Sequence, residues 1–370
     1  MAAMYRLAAI LRDGASRLPR MRSEIPVASF SCWIYLRAFL LRRTYHPSCQ
    51  RNGFAVVAGG GREVALECAN RKPMSDPTPP FAGGHHSPES ILAHPRFAAA
   101  RTAFVEAVLG LYEGDAFLNR LLLEASRQII FNMIVSLYFR YDEADRETWP
   151  TMRALKKQMT VFGLSSPRRI EDLVARLVHF GYLETLISQR DGRMRILTPT
   201  AKMISLDQDW LTALYRPLQA MFPDPGYSEV IERDPVFQRA QRLVALGFSG
   251  HGSQILAGNP DIMLFMNRDA GMTILTKLVQ MLDVAGGDAV EKLSYTDIGA
   301  RFGVSRTHVR TLLQDAERAG LVALSGQGGR LVELKPAILR AFDRFIADGM
   351  SGHDLLYRIA LSRMTGAAGA

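Results

Sequence analysis

From Ile91 onward the chain is patterned with a helical period. Phe97, Phe104, Val105, Val108 and Leu111 recur at the spacing of one helix face. Leu121, Leu122, Ala125, Ile129, Met133 and Leu137 form the apolar stripe of a longer helix over 117–140. A polar break over 141–150 follows it. Residues 205–288 read as several helices, punctuated by Pro217, Pro223-Asp224-Pro225-Gly226, Asp234-Pro235 and Asn259-Pro260. Residues 336–360 are patterned as a further helix. Strand-like patterning is confined to short pairs near 183–198 and 323–334, so the expected class is mainly α.

One local pattern occurs twice. Phe162-Gly163-Leu164-Ser165 returns 140 residues later as Phe302-Gly303-Val304-Ser305. An amphipathic helix follows each copy. Ile170, Leu173, Val174, Leu177 and Val178 make the apolar stripe of the first; Val309, Leu312, Leu313 and Ala316 make that of the second. Gly181 and Gly320 stand where each helix should stop.

A helix-turn-helix accounts for these residue types. The turn needs a residue able to take positive φ, met by Gly163 and Gly303. A small residue is wanted four positions earlier, where two helices cross closely. Gly299 meets that need in the second copy and Met159 does not in the first. Ser165 and Ser305 are expected N-caps. The first copy has one more residue between its glycine and the first buried position, so its turn is expected to be longer.

Each second helix is followed by a possible wing. Residues 183–189 and 194–198 flank Arg190-Asp191-Gly192-Arg193, and Asp-Gly is the preferred two-residue hairpin turn because both positions need positive φ. Such a tip would present Arg190, Arg193 and Arg195 to a phosphate backbone or a minor groove. The second wing, with strands near 323–324 and 330–334, has a Gly-rich tip and a single arginine. The expected architecture is therefore a pair of tandem winged helix-turn-helix domains linked by a helical segment.

The first unit resembles the MarR family of winged-helix regulators over residues 119–203. The resemblance lies in Val178-His179-Phe180-Gly181-Tyr182-Leu183 and in Arg190-Asp191-Gly192-Arg193 followed by Leu197-Thr198. The family's Asp-x-Arg wing signature falls on Asp191 and Arg193; the Thr-x-x-Gly ending is absent after Thr198. What the resemblance implies is a DNA-binding transcriptional regulator that dimerises through flanking helices. The tandem pair departs from the family's usual one unit per chain.

Charge is informative once located. The formal net charge is +9, but residues 1–73 hold twelve Lys and Arg against four Asp and Glu. Residues 150–202 hold ten basic against four acidic, and 291–335 hold seven against five. Positive charge outside the leader is thus concentrated at the two motifs. Residues 1–73 show no sustained period and carry all three cysteines, Cys32, Cys49 and Cys68, whose spacing suits neither a metal nor a disulfide framework. They read either as a targeting segment or, the expectation adopted, as residues upstream of a translation start at Met74. The expected divisions are then a disordered leader over 74–90, a helical scaffold with the first winged helix over 91–203, a helical linker over 204–270, the second winged helix over 271–335, and a helix and tail over 336–370.

The expected DNA-contacting set is Ser165, Ser166, Arg168, Arg169, Asp172 and Arg176 on the first recognition helix and Arg190, Arg193 and Arg195 on its wing. The second helix would add Ser305, Arg306, Thr307, His308, Arg310 and Thr311. The plainer reading is that these are solvated helix faces; the conjunction of turn glycine, N-cap, glycine stop and Arg-tipped hairpin favours DNA. The expected partner is double-stranded DNA, bound by a homodimer in a bacterial cytoplasm, with no cofactor and no metal. A small-molecule effector has no support in the sequence. Two other readings use the same units: a protein-interaction or chromosome-segregation module, and a replication initiator. An enzyme is not expected. Gly247-Phe248-Ser249-Gly250-His251 lacks the last glycine of a nucleophile elbow, and His85-His86 is an adjacent pair in a leader, which rarely makes a defined metal site.

Overall fold

In the computed structural model the chain divides into two units, Met1–Pro73 and Met74–Ala370. The structure describes residues 84–112, 122, 125–163, 165–248, 258–286 and 289–368, all in the second unit. The three cysteines, residues 117–121 of the expected long helix, and Ser249 to His251 lie outside the described residues.

The element order is α1 (Pro88–Leu92), α2 (Phe97–Tyr112), α3 (Ala125–Phe139), a 3-10 turn (Arg146–Thr148), α4 (Met152–Met159), α5 (Pro167–His179), β1 (Leu183–Ile187) and β2 (Arg195–Pro199). There follow α6 (Ala201–Met221), α7 (Ser228–Ile231), α8 (Pro235–Gly247), α9 (Pro260–Met266), α10 (Gly271–Ala285) and β3 (Ala289–Val290). Last come α11 (Tyr295–Phe302), α12 (Arg306–Arg318), β4 (Val322–Ser325), β5 (Leu331–Leu334) and α13 (Pro336–Ala368). The described chain is mainly helical, with two small antiparallel sheets ordered β1-β2 and β3-β5-β4.

Two apolar cores organise these elements. The smaller is built by α3, α4, α5 and the β1-β2 hairpin, with Phe131, Ile134, Leu155, Leu173, Leu177 and Leu197 inside it. The larger gathers α2, α6, α8 to α13 and the second sheet around Tyr215, Phe237, Phe265, Phe302 and Phe342. Two helices serve both cores. Met203 of α6 lies in the smaller core, whereas Leu211 and Leu218 of the same helix lie in the larger. In α8, Phe237 and Val244 face the larger core while Leu246 packs on the smaller.

The helices fall into two kinds. In α3, residues Ile130, Phe131, Met133, Ile134, Val135 and Leu137 are all buried, so the helix is covered around most of its circumference. In α5 and α12 a single stripe is buried: Ile170, Leu173, Val174 and Leu177 in one, Val309, Leu312, Leu313 and Ala316 in the other. Their remaining faces meet solvent.

Dipeptide punctuation marks helix starts. Asp234 caps α8 through Val236 N–H with Pro235 in its first turn, and Asn259 caps α9 through Ile262 N–H with Pro260 behind it. Pro217 breaks that pattern, because it lies inside α6 and is buried. It stands in the last turn, where its missing N–H removes one helical bond, and burial of Leu218 and Met221 beyond it holds the helix together.

A buried ion pair ties α6 to α8. Arg242 donates to both oxygens of Asp207, at 3.0 and 2.7 Å, and Gln238 donates to Asp207 at 2.8 Å. Asp354 of α13 is likewise buried and accepts from His86 N–H, the Tyr227 hydroxyl and Arg358. With these bonds its charge is satisfied inside the protein.

Candidate nucleic-acid interface

The two repeated segments fold alike. In the first, α4 leads through a turn to α5 and then to the β1-β2 hairpin. In the second, α11 leads through a turn to α12 and then to the β4-β5 hairpin. Gly163 and Gly303 both take positive φ, 63° and 71°. Past each second helix the chain closes the same way: Tyr182 N–H donates to Leu177 O and Leu321 N–H to Ala316 O, both at 2.9 Å, around the positive-φ residues Gly181 and Gly320.

The turns differ in length. Gly303 directly ends α11, and Ser305 caps α12 by accepting from His308 N–H at 3.0 Å. In the first copy α4 ends at Met159, four residues before Gly163, and the cap of α5 is Ser166, not the expected Ser165. The extra residue moves the start of the helix on by one. Ser165 is left with an Oγ that is buried and has no hydrogen-bond partner. Gly299 shows why the second turn can be short. A Cβ there would lie 2.7 Å from the carbonyl oxygen of Val304. In the first copy Met159 occupies that position and is buried, and the longer turn makes room for it.

On α5, Ser166, Arg168, Arg169 and Asp172 are exposed and Arg176 is half-buried. Lys156 of α4 pairs with Glu171 of α5. On the hairpin, Arg190, Arg193 and Arg195 are exposed. Arg168, Arg190, Arg193 and Arg195 form no ion pair with any other described residue. Burial, with the charges of Glu143 and Asp142, raises the Tyr141 phenol, and nearby Arg190 opposes the shift.

The hairpin tip differs from the expected Asp-Gly turn. Neither Asp191 nor Gly192 takes positive φ. Ser188 N–H still pairs with Met194 O at 3.0 Å, and the five residues between them are held by Asp191 and Ser188. Met194 N–H donates to Asp191 O at 2.9 Å, Arg193 N–H to the Asp191 carboxylate at 3.2 Å, and Arg190 N–H to Ser188 Oγ at 3.2 Å. Side-chain oxygens at 188 and 191 thus replace the two left-handed residues of a tight hairpin.

On α12, Ser305, Arg306, Thr307, Arg310 and Thr311 are exposed. His308 is drawn away from them: its Nε2 lies 2.8 Å from the carbonyl oxygen of Asp269, in the α9-α10 turn. Asp315, nearer the C-terminus, pairs with both Arg268 and Arg318. The second hairpin is braced from α12 and α11: Glu317 accepts from Leu324 N–H at 2.9 Å and the Tyr295 hydroxyl donates to Gly329 O. Burial raises Tyr295, with Arg310 opposing and Glu317 assisting the shift. The tip, with Gly326, Gly328 and Gly329 at positive φ, carries the exposed Arg330.

Sequence reasoning missed two features. One is β3, two residues long, which adds a third strand beside β5. The first copy has a vestige of it in Leu197 N–H donating to Pro150 O at 2.8 Å. The other is Arg146, which pairs with Asp191 across 45 residues and lies over the Trp149 ring at 5.2 Å. No local signal announces either.

Among the described residues no cluster of His, Cys, Asp and Glu could hold a metal ion, and no helix is long and apolar enough to cross a membrane. His86 stacks on Phe222 with ring centres 3.7 Å apart, and burial lowers its pKa although Asp354 opposes the shift. Compared with known proteins, the chain matches no family model, no curated protein and no solved structure.

Proposed function

We propose that this chain is a sequence-specific, double-stranded DNA-binding transcription regulator with two winged helix-turn-helix readers, α4-α5-β1-β2 and α11-α12-β4-β5. One observation carries the reading. Each unit presents an N-capped helix with one face buried and a polar, arginine-bearing face in solvent, beside a hairpin whose tip exposes arginine. A helix of this kind can enter a major groove while an arginine-tipped hairpin neutralises phosphates or enters a minor groove. Base readout would fall to Arg168, Arg169, Asp172 and Arg176 in the first unit and to Arg306, Thr307, Arg310 and Thr311 in the second. Ser166 and Ser305 would hold the helix ends that face the backbone.

The units are unequal. The first has the larger local positive charge, ten basic against four acidic residues over 150–202, and three exposed wing arginines. It is the principal reader in this proposal. The second has a glycine tip and a histidine committed to the protein, which suits a supporting contact. Two readers in one chain raise each other's effective concentration on a two-part site, as a homodimer also would.

The test is binding of the full chain to random duplex DNA over a salt series, beside Arg190→Ala/Arg193→Ala/Arg195→Ala. The parent should bind with a steep salt dependence, and the triple variant should lose about two to three units of the log–log slope, roughly one per phosphate contact. A folded parent that binds no duplex at low salt defeats the reading and leaves protein partners as the alternative.

A further inference from the structure

Asp191 is an anion set between arginines at the hairpin tip, where a DNA phosphate is expected. By charge alone it should weaken DNA binding. Its bonds give it a different task. Its backbone oxygen takes Met194 N–H at 2.9 Å, its Oδ1 takes Arg193 N–H at 3.2 Å, and its Oδ2 is paired with Arg146. Its own N–H lies 3.4 Å from Ser188 Oγ. Every polar group of Asp191 therefore shapes the tip, and one of them fastens it to the body of the domain.

The other end of that link is fixed as well. Arg146 follows Asp145, whose side chain caps the short 3-10 turn, and its guanidinium lies over Trp149. Trp149 is buried, with its indole N–H directed at Glu143 O at 3.3 Å. The next residue, Pro150, accepts from Leu197 in β2. The loop between α3 and α4 thus grips the hairpin at mid-strand through Pro150 and at its tip through Arg146.

We infer that Arg146 is a positioning residue for DNA recognition, which through Asp191 holds the first hairpin tip so that Arg190 and Arg193 are presented together. This rests on the DNA-binding reading. A tip already ordered in the free protein loses less freedom when it docks. The gain comes from order, and the link need not touch DNA to supply it.

Asp191→Asn separates this from simple electrostatics. The asparagine keeps an oxygen for Arg193 N–H, loses the charged bond to Arg146, and makes the tip more positive. Charge alone predicts tighter binding. Positioning predicts binding about three- to fivefold weaker, the scale of one exposed ion pair, with the salt slope unchanged. Arg146→Gln should weaken binding similarly, and Asp191→Asn/Arg146→Gln should be no worse than Arg146→Gln, because both changes break one link. All are measured on the full chain by titration into duplex DNA. Hydrogen exchange without DNA supplies a second readout: amides 190–194 should exchange faster in both single variants, with core amides of α10 unchanged. Equal or tighter binding by Asp191→Asn, or unaltered exchange at the tip, overturns the inference while leaving the DNA reading intact. Failure of the parent to bind DNA at all defeats the reading beneath it, and the exchange result then decides only whether Arg146 anchors the tip.

Discussion

Replacing Gly299 with alanine isolates the close crossing on which the second turn depends. Its added Cβ would lie 2.7 Å from Val304 O and 3.3 Å from Arg306 N, both backbone atoms, so no side-chain rotation relieves the contact. The turn must move away from α11, taking the start of α12 with it. Overpacking of this kind costs about 1–3 kcal/mol, and a backbone contact that no rotamer relieves belongs to the upper part of that range, about 2–3 kcal/mol. Removing glycine from a helix interior returns up to about 1 kcal/mol, leaving a net loss of about 1–2 kcal/mol. At about 2–4 °C per kcal/mol for a unit of this size, the midpoint should fall by roughly 2–8 °C. Two further glycines calibrate the effect. Gly271, whose Cβ would lie 2.0 Å from Phe265 O, should be the worst site for alanine. Gly349, inside α13 with nothing near its Cβ, should gain up to about 1 kcal/mol from the same change. Thermal melts of the full chain followed by circular dichroism should therefore rank Gly271→Ala lowest, then Gly299→Ala, then the parent, then Gly349→Ala. If Gly299→Ala melts with or above the parent, the close crossing is not what keeps glycine there.

Ser166→Ala should cost about 1 kcal/mol in denaturant unfolding, as loss of an N-cap does, whereas Ser165→Ala should be neutral or slightly stabilising because its Oγ has no partner to lose; the reverse order would return the cap to Ser165. Asp207→Ala leaves Arg242 buried without its anion and should destabilise by about 3–5 kcal/mol, read as a lower urea midpoint. Burial, with Arg242 nearby, lowers the pKa of His353 from 6.5 to about 4. Between those values the unfolded chain takes up a proton that the folded chain refuses. Its contribution is therefore intact above pH 6.5 and is lost as pH falls toward 4. Across that window the melting midpoint of His353→Gln should rise less with pH than the parent's. Asp343 and Asp348, raised by burial, push the opposite way in both proteins, so the difference reports His353.

Much of the helical framework was legible because its signals are local. The stripes at Ile170 to Val178 and Val309 to Ala316 are spaced by the helix itself, and every residue the period names is buried except Val178, at the end of α5, which is exposed. Asp234-Pro235 and Asn259-Pro260 announce helix starts because the capping bond spans two or three residues. The repeated Phe-Gly-x-Ser announced two like turns, and the additional residue in the first announced its greater length.

Bonds between segments distant in sequence could not be read that way. Which of two adjacent serines caps α5 depends on how far α4 must stand off to house Met159. Asp191-Gly192 has the composition of a two-residue turn, yet the tip is shaped by Ser188 and by Arg146 from another loop. His308 has the right place on its helix to face outward and is captured by a carbonyl 39 residues away. The sequence by itself determined where helices begin, which face of each is apolar, and where positive charge collects, since those follow from neighbours within about two helical turns. Only the tertiary structure decided which polar groups remain free to meet a partner, because a charged side chain takes whichever oppositely charged or polar group the folded chain brings within hydrogen-bond reach.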